Sequence, residues 1–161
     1  MENRLFRGRF KTIKDNSEWA IGFLFEKQEE GCSTSLCIAD KPLYCYGGGF
    51  DEISENCYAS VEPATVGLCT NLKETYVNGE YTDGDLLFIG DIISIITYSY
   101  TEPEGGYYGK IEMDSFGFYL LMVDAKGNVA REYLSNLQGS YITHYTKHGN
   151  VHDNPELMGK Q

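Results

Sequence analysis

The segment GDIISIITYSYTEPEGGYYGKIEMDSFGFYLLMV, residues 90–123, carries the clearest indication of the fold. β-Branched and aromatic residues alternate along it and glycine-containing turns divide it, a pattern that is typical of antiparallel strands. Ile92 and Ile96 fall on one face of its first strand, and Ile93 and Ile95 fall on the other. Both faces are therefore predicted to be covered, which makes this a central strand. The order of the elements also follows the pattern of a small SH3-like barrel. It runs from a strand through an acidic loop at residues 102–106 to a second strand, a tight turn and a third strand.

Similar alternation recurs along the rest of the chain, and helical periodicity is scarce. Asn78-Gly79 predicts a type I′ hairpin turn, because both residues readily take positive φ angles. Residues 129–137 have helical spacing after Asn128, and Asn154-Pro155 predicts a second short helical turn. The strands are predicted at residues 19–25, 35–38, 42–46, 57–61, 65–69, 91–98, 107–113, 116–123 and 140–146. The fold class is therefore mainly β, with antiparallel strands, an SH3-like or small β-barrel portion and one short helix.

The chain has 161 residues, the length of one ordinary domain. No internal repeat or low-complexity linker divides it. We predict a single domain, residues 1–161, with two lobes at about 1–73 and 85–161.

The net charge of −11 is unevenly distributed. Residues 1–14 carry a net charge of +4, which leaves −15 for residues 15–161. This field opposes the binding of a polyanion, so nucleic acid is disfavoured and a cationic protein partner or a small ligand fits better. No apolar run is long enough to span a membrane, and the sequence MENRLFRGRF lacks the apolar region of a signal peptide. A cytoplasmic protein that does not engage membranes is predicted.

Five cysteines lie in the first half of the chain without a CxxC pair, and we predict mostly buried, reduced thiols. An adventitious zinc site is the alternative interpretation. The cysteines are Cys32, Cys37, Cys45, Cys57 and Cys69.

The three histidines, His144, His148 and His152, are four residues apart, which on a helix would align them as metal ligands. The residues around His144 alternate as in a strand and a glycine follows His148, so the three side chains are predicted to point in different directions. Asp83, Asp85 and Asp91 could together hold a divalent cation, but they miss the spacing of a calcium loop and lie in turn-forming sequence.

Known catalytic motifs are missing from the sequence, including the G-x-S-x-G elbow, the HExxH helix and the Walker loop. We therefore predict no catalytic residue, no cofactor and no metal. A cysteine and a histidine that meet in space would leave an enzyme with a dispersed site as an alternative.

A cluster of tyrosines beside an acidic segment gives the candidate protein-binding site. Aromatic rings next to acidic residues are how SH3-type grooves hold basic, proline-rich peptides. The candidate residues are Tyr98, Tyr100, Glu102, Glu104, Tyr107 and Tyr108.

Four phrases, in this order, resemble the signature of the YopX family, whose members are encoded by bacteriophages and prophages. Near the start stand LFRG (residues 5–8), DNSEW (15–19) and GFL (22–24). The middle phrases are VEPATVG (61–67) with TNLK (70–73), and NG (78–79) with GDII (90–93). The closing phrase is GNVHDNPEL (149–157). The chain departs from the family at Asn71, where glycine is usual, at Ile89, and in the longer connection at residues 84–89.

This resemblance implies a mainly β protein of a mobile genetic element that acts in the bacterial host cytoplasm and has no established activity. Our leading hypothesis is an accessory protein of a phage or prophage, non-enzymatic, that binds a host or phage protein. The alternatives are the enzyme with a dispersed site and a protein that binds or mimics nucleic acid. Self-association into a homo-oligomer is also compatible with β edges and tyrosine-rich surfaces.

Overall fold

The computed structural model describes residues 4–11, 17–28, 30–31, 33–40, 58–99, 102–137 and 142–159. The strand predicted at residues 42–46 lies outside these ranges. The chain divides into two compact units, Met1–Cys69 and Thr70–Gln161.

The first unit is built on an antiparallel sheet whose strand order is β4-β3-β2-β1-β5. A 3₁₀ turn at Pro63–Thr65 precedes β5, which continues across the boundary between the units. The strand predicted at residues 65–69 therefore begins two residues later, because proline starts this turn. The strands are β1 (Phe6–Lys11), β2 (Ser17–Gln28), β3 (Thr34–Ala39), β4 (Tyr58–Ser60) and β5 (Gly67–Lys73).

Close backbone approach and one small cluster hold this sheet together. A Cβ at Gly22 would clash with the backbone of Ala39, so only glycine permits the observed approach of β2 and β3. Phe25 and Cys37 are buried together, and the ring of Tyr58 meets that of Phe25 edge to face with centroids 5.8 Å apart. Aromatic and small residues thus complete the core of the first unit.

The second unit contains a five-stranded antiparallel sheet with the order β12-β11-β10-β9-β13. The prediction that the strand beginning at Asp91 is central is confirmed, since it pairs with a strand on each side. The short helix is α1 (Leu134–Leu137), and a 3₁₀ helix follows at Pro155–Gly159. The strands are β6 (Tyr76–Val77), β7 (Glu80–Tyr81), β8 (Leu86–Phe88), β9 (Asp91–Ser99), β10 (Glu102–Asp114), β11 (Gly117–Val123), β12 (Val129–Tyr133) and β13 (Ile142–Asn150).

One face of the five-stranded sheet carries the core of the second unit. Ile93, Ile95, Ile111 and Leu120 are fully buried on this face, and α1 packs against them. Ile93 and Ile95 of β9 alternate with Ser94 and Ile96 of the opposite face because successive side chains of a strand point to opposite sides. The core cluster comprises Leu87, Ile93, Ile95, Ile111, Leu120, Leu134, Leu137 and Tyr145.

Two tight turns are confirmed. Asn78 and Gly79 have φ angles of 51° and 86° and connect β6 to β7, as the type I′ prediction requires. Asp114 and Gly117 flank the two-residue loop between β10 and β11, and the Asp114 carboxylate accepts a hydrogen bond from the Phe116 N–H at 2.8 Å.

Two local predictions were wrong. Residues 102–106 do not form a loop, because Glu102–Asp114 is one strand that pairs with β9 and absorbs a bulge between Pro103 and Gly105. The helix predicted from residue 129 is confined to Leu134–Leu137, since β-sheet pairing with β11 holds the preceding residues in β12. In both places tertiary pairing overrides local composition.

The antiparallel, mainly β fold class with one short helix is confirmed. The SH3-like barrel is not confirmed, because β12 and β13 are the end strands of the five-stranded sheet and do not pair with each other among the described residues. In the described ranges, no helix has the length and apolar character needed to cross a membrane.

Candidate protein-binding surface

The face of the five-stranded sheet opposite the core forms the candidate site, and we call it the slot face. It carries Ser94, Ile96 and Tyr98 from β9, because these alternate with the buried isoleucines. Gly106 and Tyr108 of β10 lie directly opposite Ile96 and Ser94. The antiparallel register therefore assembles the site from two neighbouring strands.

Two tyrosines stand on this face with a gap between them, which we call the tyrosine slot. Tyr98 and Tyr108 are the walls, Ile96 is the floor, and Gly106 lies beside the floor. Tyr108 is opposite Ser94, four residues from Tyr98 along β9, so the two walls are roughly 13 Å apart along the strand direction. Ile96 of β9 and Gly106 of β10 are the opposed pair that lies between them on this face.

The floor of the slot is open. Gly106 is exposed, and a Cβ built on it meets no atom within 4 Å. Ile96 is only half-buried, whereas Ile92, four residues earlier on the same face, is fully buried. An apolar side chain is thus accessible where β10 has no side chain to cover it.

The first wall is fixed by a cluster of rings. Tyr98 lies against His144 of β13, with ring centroids 4.7 Å apart. Tyr76 stacks on the same imidazole at 4.8 Å, and Tyr81 meets it edge to face at 4.8 Å. The Tyr81 hydroxyl is 2.8 Å from His144 Nε2. These contacts restrict the ring of Tyr98 before any ligand arrives.

The histidines lie in different environments. His144 is only 6% exposed, and its Nδ1 is buried without a hydrogen-bond partner. His148 is exposed, and His152 lies after the end of β13. In the parts of the chain that the structure describes, no three histidine, cysteine or carboxylate side chains converge as metal ligands.

The second wall is held from two sides. The Tyr108 hydroxyl donates to the Leu157 carbonyl at 3.3 Å, and its ring lies 5.4 Å from that of His148. His148 is the extra residue of a β-bulge in β13, and its Nε2 is 2.9 Å from Ser94 Oγ. His148 follows His144 and Thr146 at alternate positions of β13, so its imidazole lies on the slot face. Burial raises the pKa of the Tyr108 hydroxyl.

A charged network borders the slot face on β10, β11 and β12. Burial of the Glu112 carboxyl acts to raise its pKa, but hydrogen bonds from Lys110 and Tyr119 outweigh this and lower it. The hydrogen bond from Tyr133 to Asp114, 2.8 Å long, is the main cause that lowers the pKa of that carboxyl. Both carboxylates therefore remain ionised at neutral pH on the border of the slot face.

Arginine also lies on this border. The Arg131 guanidinium lies 4.8 Å from the ring centroid of Tyr119 and 3.5 Å from Asp114 Oδ2. The hydrogen bond to Glu112 raises the pKa of the Tyr119 hydroxyl, so this phenol stays protonated as a donor. Tyrosine and arginine are the residue types that protein interfaces favour.

The structure brings some of the sequence-predicted residues together and separates others. Tyr98 and Tyr108 share the slot face, whereas Tyr107 lies on the opposite face and packs against the core cluster. Glu102 is exposed near one end of β10. Tyr100 lies outside the described residues, and the side chain of Glu104 does as well.

Ile96 and Gly106 belong to the site although no sequence motif marks them. Only the register of β9 against β10 reveals them, because it sets Gly106 opposite Ile96 between the two tyrosines. Of the five cysteines, Cys37 and Cys69 are buried, and the other three lie outside the described residues.

No protein-family model, curated protein or solved structure matches the chain.

Proposed function

We propose that the chain is a non-enzymatic protein-binding module that holds a segment of another protein in the tyrosine slot. The observation that carries this proposal is the open floor of the slot, where exposed Gly106 lies opposite half-buried Ile96 and between Tyr98 and Tyr108. A small apolar depression between two rigid phenol rings suits an inserted aliphatic, proline or aromatic side chain.

The restriction of both walls favours binding. The His144 cluster holds Tyr98, and the contacts with Leu157 and His148 hold Tyr108. Side chains that are already ordered lose little conformational entropy when a partner binds. Tyrosine also supplies a large apolar area together with a hydroxyl that can bond to the rim of a partner.

The charge of the second unit indicates the kind of partner. Residues 70–161 contain six lysines and arginines against thirteen aspartates and glutamates. Glu102 is exposed at the start of β10, and Glu112 lies on the slot face four residues beyond Tyr108, paired with Lys110. A basic segment would be attracted by this field and an acidic one repelled.

The biological setting rests on the resemblance to the YopX family. It favours an accessory protein of a phage or prophage that works in the cytoplasm of the bacterial host and engages a host or phage protein. The ordered phrases of residues 5–8, 61–67, 90–93 and 149–157 support this setting.

Affinity purification from host cells, with and without the mobile element, tests the proposal. Tagged wild-type protein is compared with Tyr98→Ser and Tyr108→Ser, and nuclease treatment removes contacts mediated by nucleic acid. Tyr133→Ser is the matched control, because Tyr133 also lies on the slot face but outside the slot. Quantitative mass spectrometry measures the captured proteins.

The proposal predicts one saturable protein partner that wild type and Tyr133→Ser capture and that both slot variants lose. Equal capture by all four proteins would place binding elsewhere on the chain. Recovery of nucleic acid that nuclease abolishes would favour the nucleic-acid alternative instead.

An enzyme with a dispersed site is the second candidate, and one contact favours it. His148 Nε2 lies 2.9 Å from Ser94 Oγ, within the range of a general base and its nucleophile. Labelling with a fluorophosphonate that wild type shows and Ser94→Ala loses would support this function. Wild-type protein that stays unlabelled would reject it.

A further inference from the structure

The strand β10 is paired on both sides over only part of its length. Its pairing with β11 covers Lys110–Asp114, whereas its pairing with β9 continues back to Glu102. In the described part of the chain, residues 102–107 therefore have β9 on one side and no strand on the other. This leaves an open strand edge beside the tyrosine slot.

The direction of the backbone groups on this edge follows from the register. In an antiparallel strand, the N–H and C=O of one residue point to the same side, and alternate residues point to opposite sides. The Ile111 carbonyl accepts from the Gly90 N–H at 2.9 Å, so it points toward β9. Asp114 is an odd number of residues from Ile111 and points the other way, toward β11, where it pairs with Gly117. Gly106 is an even number of residues from Asp114, so its N–H and C=O point to the same side as those of Asp114. At Gly106 that side is the open edge.

We propose that the partner binds by strand addition, with an extended basic segment that pairs with the β10 edge and places an aromatic residue opposite Gly106. This inference rests on the proposed function and specifies how the slot recognises its partner. The open backbone groups of Gly106 supply two hydrogen bonds to the added strand.

The open space above Gly106 is the reason for proposing an aromatic residue at the facing position of the partner segment. The side chain that faces Gly106 from an added strand starts about 5 Å away on the same face. An aromatic ring in that position lies over Gly106 and reaches Ile96. Aromatic cross-strand neighbours compensate for the missing side chain of a glycine in a strand. Tyr98 and Tyr108 then flank the inserted ring, and the acidic surroundings attract basic residues on either side of it.

A synthetic peptide provides the probe. It has nine residues of alternating lysine and threonine, with phenylalanine at the centre and both ends capped. A second peptide carries N-methylphenylalanine at the centre, which removes the one N–H that would bond to the Gly106 carbonyl and keeps the ring and the charge. A third carries alanine there. Titration of the full chain, followed by NMR, measures each affinity and the hydrogen exchange of the Gly106 amide.

Strand addition predicts saturable binding of the phenylalanine peptide and at least about tenfold weaker binding of the N-methyl and alanine peptides, since each loses one main contact. The Gly106 amide should exchange at least about tenfold more slowly in the complex, because hydrogen bonding protects amides from exchange. The Gly84 amide already bonds to the Glu74 carbonyl and serves as the unchanged control.

Three results would overturn the inference. They are no binding of the phenylalanine peptide up to about 1 mM, equal binding of the N-methyl peptide, and an unprotected Gly106 amide in the complex. Protection of that amide in the free protein that grows with concentration would assign the edge to a second copy of the chain. If these tests fail but Tyr98→Ser and Tyr108→Ser still abolish capture of the partner, only strand addition is rejected and the proposed function stands.

Discussion

Two glycines of β10 should respond in opposite ways to the same added methyl group. A Cβ at Gly109 would overlap the backbone oxygen of Leu121 and lie 2.9 Å from its carbonyl carbon, below the 3.0 Å that real Cβ atoms observe. A Cβ at Gly106 would meet nothing within 4 Å. Gly109→Ala must therefore push β10 and β11 apart by several tenths of an ångström, whereas Gly106→Ala requires no movement.

We expect Gly109→Ala to lower the free energy of unfolding by about 2–4 kcal/mol, from overpacking and weakened hydrogen bonds between the strands. Gly106→Ala should change it by less than about 0.5 kcal/mol or raise it slightly, because alanine restricts the unfolded chain. Urea unfolding of both variants and wild type, monitored by circular dichroism, measures the difference. Equal stability of the two variants would refute the register that places Gly106 at an open edge.

Three further substitutions test other contacts of the second unit. Tyr133→Phe removes the hydrogen bond that lowers the pKa of Asp114, so NMR titration should show that pKa rising toward its ordinary value of 3.8. The stability that the lowered pKa of Asp114 provides is present above pH 3.8 and is lost as the pH falls through the lowered pKa. The free energies of unfolding of wild type and variant should therefore converge in acid. Thr70→Val removes a buried hydrogen bond to a backbone carbonyl and should cost about 1–2 kcal/mol in urea unfolding. Tyr81→Phe removes the hydroxyl partner of His144 and should cost about 1 kcal/mol in the same assay.

Local chemistry made part of the fold predictable. Asn78-Gly79 demands positive φ angles, and alternation along residues 91–98 defines both faces of a central strand. The extended conformation of residues 102–106 was not predictable, because proline, two glutamates and two glycines are typical of loops. Their extended conformation depends on pairing with β9, which composition does not encode.

The candidate site was predictable only in part for the same reason. Tyr98 and Tyr108 were recognised as aromatic residues near acidic ones, but Tyr107 was grouped with them although adjacent residues of a strand face opposite ways. Ile96 and Gly106 join the site through a cross-strand register that depends on the whole sheet. Asn71 adopts a φ of 63°, a conformation that asparagine tolerates.

One variant tests the tyrosine slot most directly. Gly106→Val fills the gap above Ile96 with a residue type that strands favour, and its Cβ meets no atom within 4 Å. Gly159→Val is the matched control, since a Cβ there is also unobstructed but lies outside the sheet. Capture of the partner from host cells is measured for wild type and both variants alongside their stability. If the partner binds in the tyrosine slot, Gly106→Val should be at least as stable as wild type but capture less than about a tenth as much partner, which corresponds to roughly 1.4 kcal/mol of binding free energy. Gly159→Val should capture as much as wild type. Undiminished capture by a folded Gly106→Val protein would contradict binding in the slot.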